Sequence, residues 1–441
     1  MRLGVIADDF TGATDIAGFL VQNGMECVMF NGVPDSIPDT LTEALVVSLK
    51  IRSCPVGEAV EKALSALAFL KEAGCTKFYY KYCSTFDSSK EGNIGQVTDA
   101  LMDALGTSLT LICPALPVNG RTVYKGYLFV NDLLLSDSPM RNHPITPMRD
   151  SKLERLMEGQ FKGKGEHIFS EDMAQGSEHV RALVEKYKEN EIEKKEEKKK
   201  EKKKEDTSIQ SKDNHYLIVD ILTEMDLETI AQATEDFPLV TGGSGLALGI
   251  AHLYNKRLGR PNEEVVSFVP KKDRAVIIAG SCSAQTNAQV AYYKDKAPSL
   301  RIDEGKCLHQ KGYSGELALW ALAQDKAGPA PMLYATRNPE ELREIQAKFG
   351  KEDVSAMIEK IIGCVTKILA FQGVKNFIVA GGETSGVVAT TLAVSSYLVG
   401  PQIDPGVSWV RSLDGTMHLA FKSGNFGMVD FFEKAQEMCH A

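Results

Sequence analysis

The sequence predicts an α/β protein of two domains, each a largely parallel sheet flanked by helices. Three observations carry that expectation. At 441 residues the chain is too long for one ordinary core. Short apolar runs recur, each followed by a polar or glycine-bearing loop and then by apolar residues at helical spacing, the order of a parallel sheet with crossover helices. The pattern is broken by a Lys/Glu-rich stretch at 185–213 and again by a Gly/Pro/Lys-bearing stretch at 257–272. The second break separates an expected first domain, 1–260 with the Lys/Glu run as an insertion, from a second, 271–441.

Composition narrows the class. Hydrophobic content of 43% and charged content of 25% belong to a soluble globular protein. A net charge of −9 gives no whole-surface attraction to nucleic acid, and no run approaches the length of a membrane span. Nine cysteines without a CxxC pair, behind a start that lacks the apolar core of a signal peptide, point to reduced thiols in the cytoplasm.

The first domain opens with LGVIADDFTGATD at 3–15, which reads as strand, tight turn and helix N-terminus. Asp8 and Asp9 end the strand. Adjacent carboxylates there are costly if buried, so they are expected to hold a hydroxyl, a metal or a proton; alternatively one caps the helix and the other is solvated. ALVVSL at 44–49 is the next strand, with Arg52 and Ser53 beyond it. Residues 60–73 read as a helix, 77–82 as a strand ending in Cys83, Ser84, Thr85, Phe86, Asp87 and Ser88, and 109–113 as a strand leading to Asn119 and Arg121. Four strands thus bring polar groups to one expected sheet edge, where such sheets bind ligands, and a small, polar, anionic molecule suits them. Residues 124–130 look like a hairpin arm. Arg149, in the loop that begins at Pro144, meets either an anion or Asp150, the pair being favoured. In the Lys/Glu run ten lysines face nine acids over 185–206, which cancels most of the field and leaves no apolar face to pack. The strand at 216–219 and the junction LVTGGSGLALGI at 239–250 complete the domain. Gly249 comes one residue too late for a dinucleotide fingerprint.

The second domain begins with AVIIA at 275–279, running into Gly280, Ser281 and a helix. FIVA at 377–380 repeats the pattern with Gly381, Gly382, Glu383 and Thr384. A third glycine loop, 422–427, follows the strand at 418–421. Glycines admit a phosphate to the backbone and helix N-termini offer it free N–H groups, so nucleotide binding is the inference; with no GxxxxGK[ST], this is no P-loop.

Together VIADDFTGATD, SLKIRS, TFDSS, GGSGLALG, AGSCSAQT, VAGGETSG, QIDPG and KSGNFG resemble the four-carbon acid sugar kinase family, in the family's order and over nearly the whole chain apart from the insertion. The last motifs look most like the 3-oxo-tetronate kinases within it. The resemblance implies an N-terminal substrate domain, a C-terminal nucleotide domain, and ATP-dependent phosphorylation of the terminal hydroxyl of a four-carbon sugar acid. It implies that Ser281, Gly381, Gly382, Glu383, Thr384 and Gly424 contact ATP. A kinase must activate an alcohol and offset charge on the transferring group. Asp9, with Asp8 as the other candidate, would accept the hydroxyl proton. Arg52 would take the substrate carboxylate. Ser84, Thr85, Asp87 and Ser88 would hydrogen-bond hydroxyls, with Asn119 and Arg121 in the same crevice. Mg²⁺ would accompany ATP, with no residue announcing itself as its ligand. The expected partners are the sugar acid and ATP, neither nucleic acid nor membrane, and there is room for a homodimer. A threonate or erythronate kinase, a non-catalytic sensor of sugar acid or nucleotide, and an oxidoreductase are the competing readings, the last disfavoured by the missing GxGxxG.

Overall fold

The computed structural model describes residues 1–40, 42–143, 146–188, 214–337, 341 and 351–439. Most of the Lys/Glu-rich insertion, 189–213, and Pro144 lie outside the described residues. The chain divides into two compact units: Met1–Met25 with Gly32–Glu263, and Glu26–Asn31 with Glu264–Ala441.

In the first unit β1 (Leu3–Ala7) runs into α1 (Phe10–Gln22). After β2 (Cys27–Asn31), which belongs to the second unit, come β3 (Ala44–Ser48), α2 (Val56–Glu72), β4 (Lys77–Lys81), α3 (Ile94–Leu105) and β5 (Leu109–Ile112). A hairpin of β6 (Arg121–Tyr124) and β7 (Tyr127–Val130), edged by β8 (Leu133–Leu134), precedes β9 (Lys164–Ile168) and β10 (His215–Val219). Then follow α4 (Glu224–Ala233), β11 (Leu239–Gly242) and α5 (Leu246–Leu258). The main sheet is parallel in the order β11-β4-β1-β3. β1, β3 and β4 are buried at every position, which is why they read as continuous apolar runs rather than alternating ones. α2 buries Ala59, Ala63, Ala66, Leu67 and Leu70, the spacing of one helical face.

Sequence reasoning set β5 beside β1, β3 and β4. It lies instead in a separate parallel sheet, β5-β10-β9. The two sheets meet where β5 runs beside β11, through the Cys113–Gly242 bridge and the Thr110 and Thr241 hydroxyls, which donate to the Leu239 and Leu111 carbonyls. A Cβ on Gly242 would stand 2.2 Å from the Cys113 carbonyl oxygen, so glycine is what lets the strand ends converge. The loop after β5 therefore still arrives beside β11. The expected pairing of Arg149 with Asp150 does not form: Arg149 is exposed, and Asp150 is held at 2.6 Å by both Nε and Nη2 of Arg155.

The second unit holds β12 (Ala275–Ala279), α6 (Ala284–Lys294), β13 (Ser299–Arg301), α7 (Tyr313–Ala323), β14 (Met332–Tyr334), α8 (Lys351–Phe371), β15 (Asn376–Ala380) and α9 (Gly382–Thr391). β16 (Ser396–Asp404), β17 (Val407–Ser412), β18 (His418–Lys422) and α10 (Phe431–Glu437) complete it. Its sheet runs β2-β16-β17-β18-β15-β12-β14-β13, parallel from β18 onward. β2, β16, β17 and β18 pair antiparallel. The connection from β16 to β17 is only Pro405 and Gly406, too short for any crossover, and Gly406 takes the φ of +78° that the turn requires.

Candidate active site

The first unit gathers its polar groups where β1 gives way to α1. Asp8 is almost sealed, its side chain 3% exposed, whereas that of Asp9 is 28% exposed. Asp9 is the N-cap of α1: its Oδ1 accepts from the Gly12 N–H at 2.6 Å. Burial first, and then the Asp8 carboxylate, push the Asp9 carboxyl above the ordinary aspartate range; Arg52, Lys81 and the Gly12 N–H act against the shift.

Arg52 joins the two. Its Nε and Nη2 donate to the Asp8 carboxylate at 2.7 and 2.9 Å, and its Nη1 meets Asp9 Oδ2 at 2.8 Å, with Asp87 at 3.9 Å. The guanidinium that sequence reasoning assigned to the substrate's carboxylate is therefore already forked onto a carboxylate of the protein. Such a bidentate pair fixes both partners.

The loop after β4 is shaped by its own hydroxyls. Thr85 Oγ1 donates to Asp87 Oδ1 at 2.8 Å, and Ser88 Oγ donates to Gln160 Oε1 at 3.1 Å; both residues are buried. Phe86 and Asp87 stand at φ +61° and +26°, a left-handed stretch that non-glycine residues hold only when their surroundings impose it. Ser84 is half-buried, and its Cβ borders Gly243 of the β11–α5 junction. In the loop after β5, Arg121 Nη1 donates to the Asn119 carbonyl, while its Nε is buried without a hydrogen-bond partner. The structure thus brings Asp8, Asp9, Arg52 and Asp87 into one cluster, and turns Thr85 and Ser88 inward as loop supports.

Two residues escaped sequence reasoning. Lys81 ends β4, is 3% exposed, and donates to the Tyr82 carbonyl at 2.7 Å. A Cβ on Gly12 would lie 3.0 Å from its ammonium, so glycine keeps the first turn of α1 open beside it. Asp15, one turn further along α1, accepts from the Ser244 hydroxyl through Oδ2, while its buried Oδ1 has no partner. Burial raises its pKa, against the pull of Lys81, the Ser244 hydroxyl and Arg121. The available signals were Lys81 as a cation closing an apolar strand and Asp15 as an acid within a run of buried helix positions. By contrast Asp220, at the end of β10, is engaged structurally: it accepts from the backbone N–H groups of Lys125, Gly126 and Ser170 at 2.8, 2.9 and 3.2 Å.

In the second unit the three glycine loops touch one another. A Cβ on Gly424 would lie 2.5 Å from Ser281 Oγ, one on Gly280 2.1 Å from Thr384 Oγ1, and one on Gly381 3.1 Å from the Ser281 nitrogen. Gly381 N–H donates to the Lys422 carbonyl at 2.9 Å. Thr384 is therefore a packing contact between loops, whereas Gly382 and Glu383 are exposed and Gly382 faces open space. Backbone at this separation, at the start of α6 and α9, suits an oxyanion chain such as a polyphosphate.

Family models match both halves: a sugar-binding N-terminal domain over residues 3–250 and a nucleotide-binding C-terminal domain over 276–432. A 3-oxo-tetronate kinase of Brucella melitensis is 48% identical over 441 residues, 100% of this chain and 96% of that protein. One of Escherichia coli is 45% identical over 408 residues, 92% of this chain and 99% of that protein. A crystal structure of a Salmonella typhimurium protein described as a tRNA synthase superposes with a TM-score of 0.88 at 46% identity, covering 99% of this chain and 98% of that one. A Haemophilus influenzae structure gives 0.84 at 45% identity, with 99% of each chain covered.

Proposed function

From the premise that the chain belongs to the four-carbon acid sugar kinase family, we propose that it transfers the γ-phosphoryl group of ATP to the terminal (4-) hydroxyl of 3-oxo-tetronate. The observation that carries the substrate is identity of 45–48% with enzymes of that name over nearly the whole chain. The first unit would bind the acid and the second the nucleotide, as their family matches suggest.

Phosphoryl transfer asks the protein for positioning and charge rather than covalent chemistry. Asp9 is the general base in this reading. Its raised pKa makes its ionised form a better proton acceptor, and it is the accessible member of the pair. Asp8 holds Arg52, and Arg52 holds Asp9 in place. The substrate's carboxylate then falls to Arg121, whose Nε has no partner, and to Lys81; the free Oδ1 of Asp15 is left to accept from a substrate hydroxyl. Asn119 and Ser84 border the same loops.

ATP fits the glycine cradle of Ser281, Gly381, Gly382 and Gly424, where added Cβ atoms would either strike the neighbouring loop or fill the open face. Among the described residues no group of three or more His, Cys, Asp or Glu side chains is arranged to hold a metal ion. Mg²⁺ would accordingly be carried by the phosphates and water with one or two carboxylates, the usual habit of this ion, and would neutralise charge on the phosphates. The nine cysteines are all free thiols and no described helix is long and apolar enough to cross a membrane, both of which suit work in the cytoplasm.

The test is a coupled assay of ATP consumption with 3-oxo-tetronate, D-threonate and D-erythronate. Turnover should be highest with the first. Preference for threonate or erythronate would replace the substrate, and tight binding of acid and ATP without turnover would make the protein a sensor.

A further inference from the structure

Lys422 closes β18 and is 2% exposed. Its ammonium meets three neutral oxygens: Thr286 Oγ1 at 2.9 Å, the Ser423 carbonyl at 2.9 Å and the Gly424 carbonyl at 3.0 Å. The Gly424 carbonyl also accepts from Ser283 Oγ at 2.5 Å and Thr286 Oγ1 at 2.8 Å. One lysine thus ties the third glycine loop to the first turn of α6, directly beneath the contacts among Ser281, Gly381 and Gly424. None of its partners is a carboxylate, which is unusual, because a buried cation is stable only when paired or well solvated.

The charged residues on the elements around it are exposed, engaged elsewhere or at the opposite end of their element. Glu383, in the first turn of α9, is exposed. Asp404 pairs with Lys434 at 2.9 Å and accepts from the Met428 N–H, at the far end of the same loop. Lys294 ends α6 at the opposite end from Thr286, and Arg411 pairs across the sheet with His418 at the opposite end of β18. Burial alone accordingly lowers the Lys422 pKa, to about 7.

We propose that Lys422 is the positioning cation of the nucleotide site: its side chain sets the Gly424 loop, and the phosphates supply the missing counter-charge, so that nucleotide binding draws a proton onto the amine. The inference goes beyond the kinase reading and rests only on nucleotide binding by this unit. The proton comes from solvent, and the amine nitrogen accepts it.

The measurement is titration calorimetry of the full chain with magnesium-saturated ATP, in pairs of buffers with different ionisation enthalpies, from pH 6 to 8. Proton uptake should be small at pH 6, approach roughly half a proton per nucleotide at pH 7 and exceed that at pH 8. Lys422→Arg, which keeps a permanent charge, should abolish the buffer dependence while retaining most of the affinity. Lys422→Met should abolish it and weaken binding roughly tenfold or more. Nucleotide binding with a buffer-independent enthalpy across this range overturns the proposal, as does a folded Lys422→Met protein with unchanged affinity and proton uptake. Absence of any ATP binding to the unaltered chain would instead remove the nucleotide assignment itself.

Discussion

Asp8 and Asp9 differ by one backbone step, and that step gives them different neighbours. Asp8 ends a strand and points into the sheet edge, where the Arg52 fork engages both of its oxygens. Asp9 begins a helix, so capping Gly12 leaves its second oxygen toward Arg52 and the open side. Asp9→Asn separates its two roles, since asparagine caps a helix as well as aspartate does but accepts no proton. We expect kcat to fall about a hundred- to ten-thousandfold, with ATP affinity intact. The sign of the stability effect follows from linkage. A carboxyl whose folded pKa is raised favours the fold below its unfolded pKa and loses that contribution as pH rises through the folded value. Removing the charge should therefore leave the Tm at pH 7 unchanged or higher; a lower Tm with normal kcat would make Asp9 a cap alone. Arg52→Ala is a second test. Without the guanidinium the repulsion between the two carboxylates is opposed only by Lys81 and the Gly12 N–H, so the acid limb of kcat/KM should move to higher pH. A raised KM for the acid with an unmoved limb would return Arg52 to the substrate's carboxylate.

At the scale of elements, what the sequence made legible was the junctions. A strand, a glycine or acid, and a helix start are local features, and the structure has one at β1–α1, β11–α5, β12–α6 and β15–α9. Non-local facts were not legible in the same way. Nothing in LTLI says which sheet it joins; its parallel pairing with β10, about a hundred residues away, decides that. Thr85 and Ser88 looked like free hydroxyls because Asp87 and Gln160, which engage them, are evident only in three dimensions. Lys81 was hidden because a strand-end lysine usually turns outward to water. The exposed glycine of α9 offers the cleanest experiment on an element. A Cβ on Gly382 meets nothing within 4 Å, so Gly382→Val should fold normally. It should still raise KM for ATP by roughly tenfold or more while that for the acid stays put, because the side chain would occupy the face offered to phosphate. Equal changes in both constants would take the nucleotide off this loop.

At the scale of the whole molecule the Lys/Glu run is the region with least to bury. Replacing residues 189–213 with a short Gly/Ser linker should leave kcat unchanged and the Tm within roughly 2 °C, as measured by steady-state kinetics and calorimetry. A larger loss of either would show that the run binds or supports something. The allegiance of β2 has a different kind of consequence. Residues 26–31 belong to the unit whose remaining chain starts at Glu264, and β2 takes its register from β16. On a ribosome making roughly 5–20 residues per second, Cys27 emerges some twenty seconds to more than a minute before Ser396 exists to receive it. For that interval an apolar segment, CVMF, waits without the strand that sets its register in the second unit. A nascent chain of this protein therefore carries the β16-facing edge of CVMF uncovered through most of its synthesis, and that edge is where a holdase chaperone would find its grip.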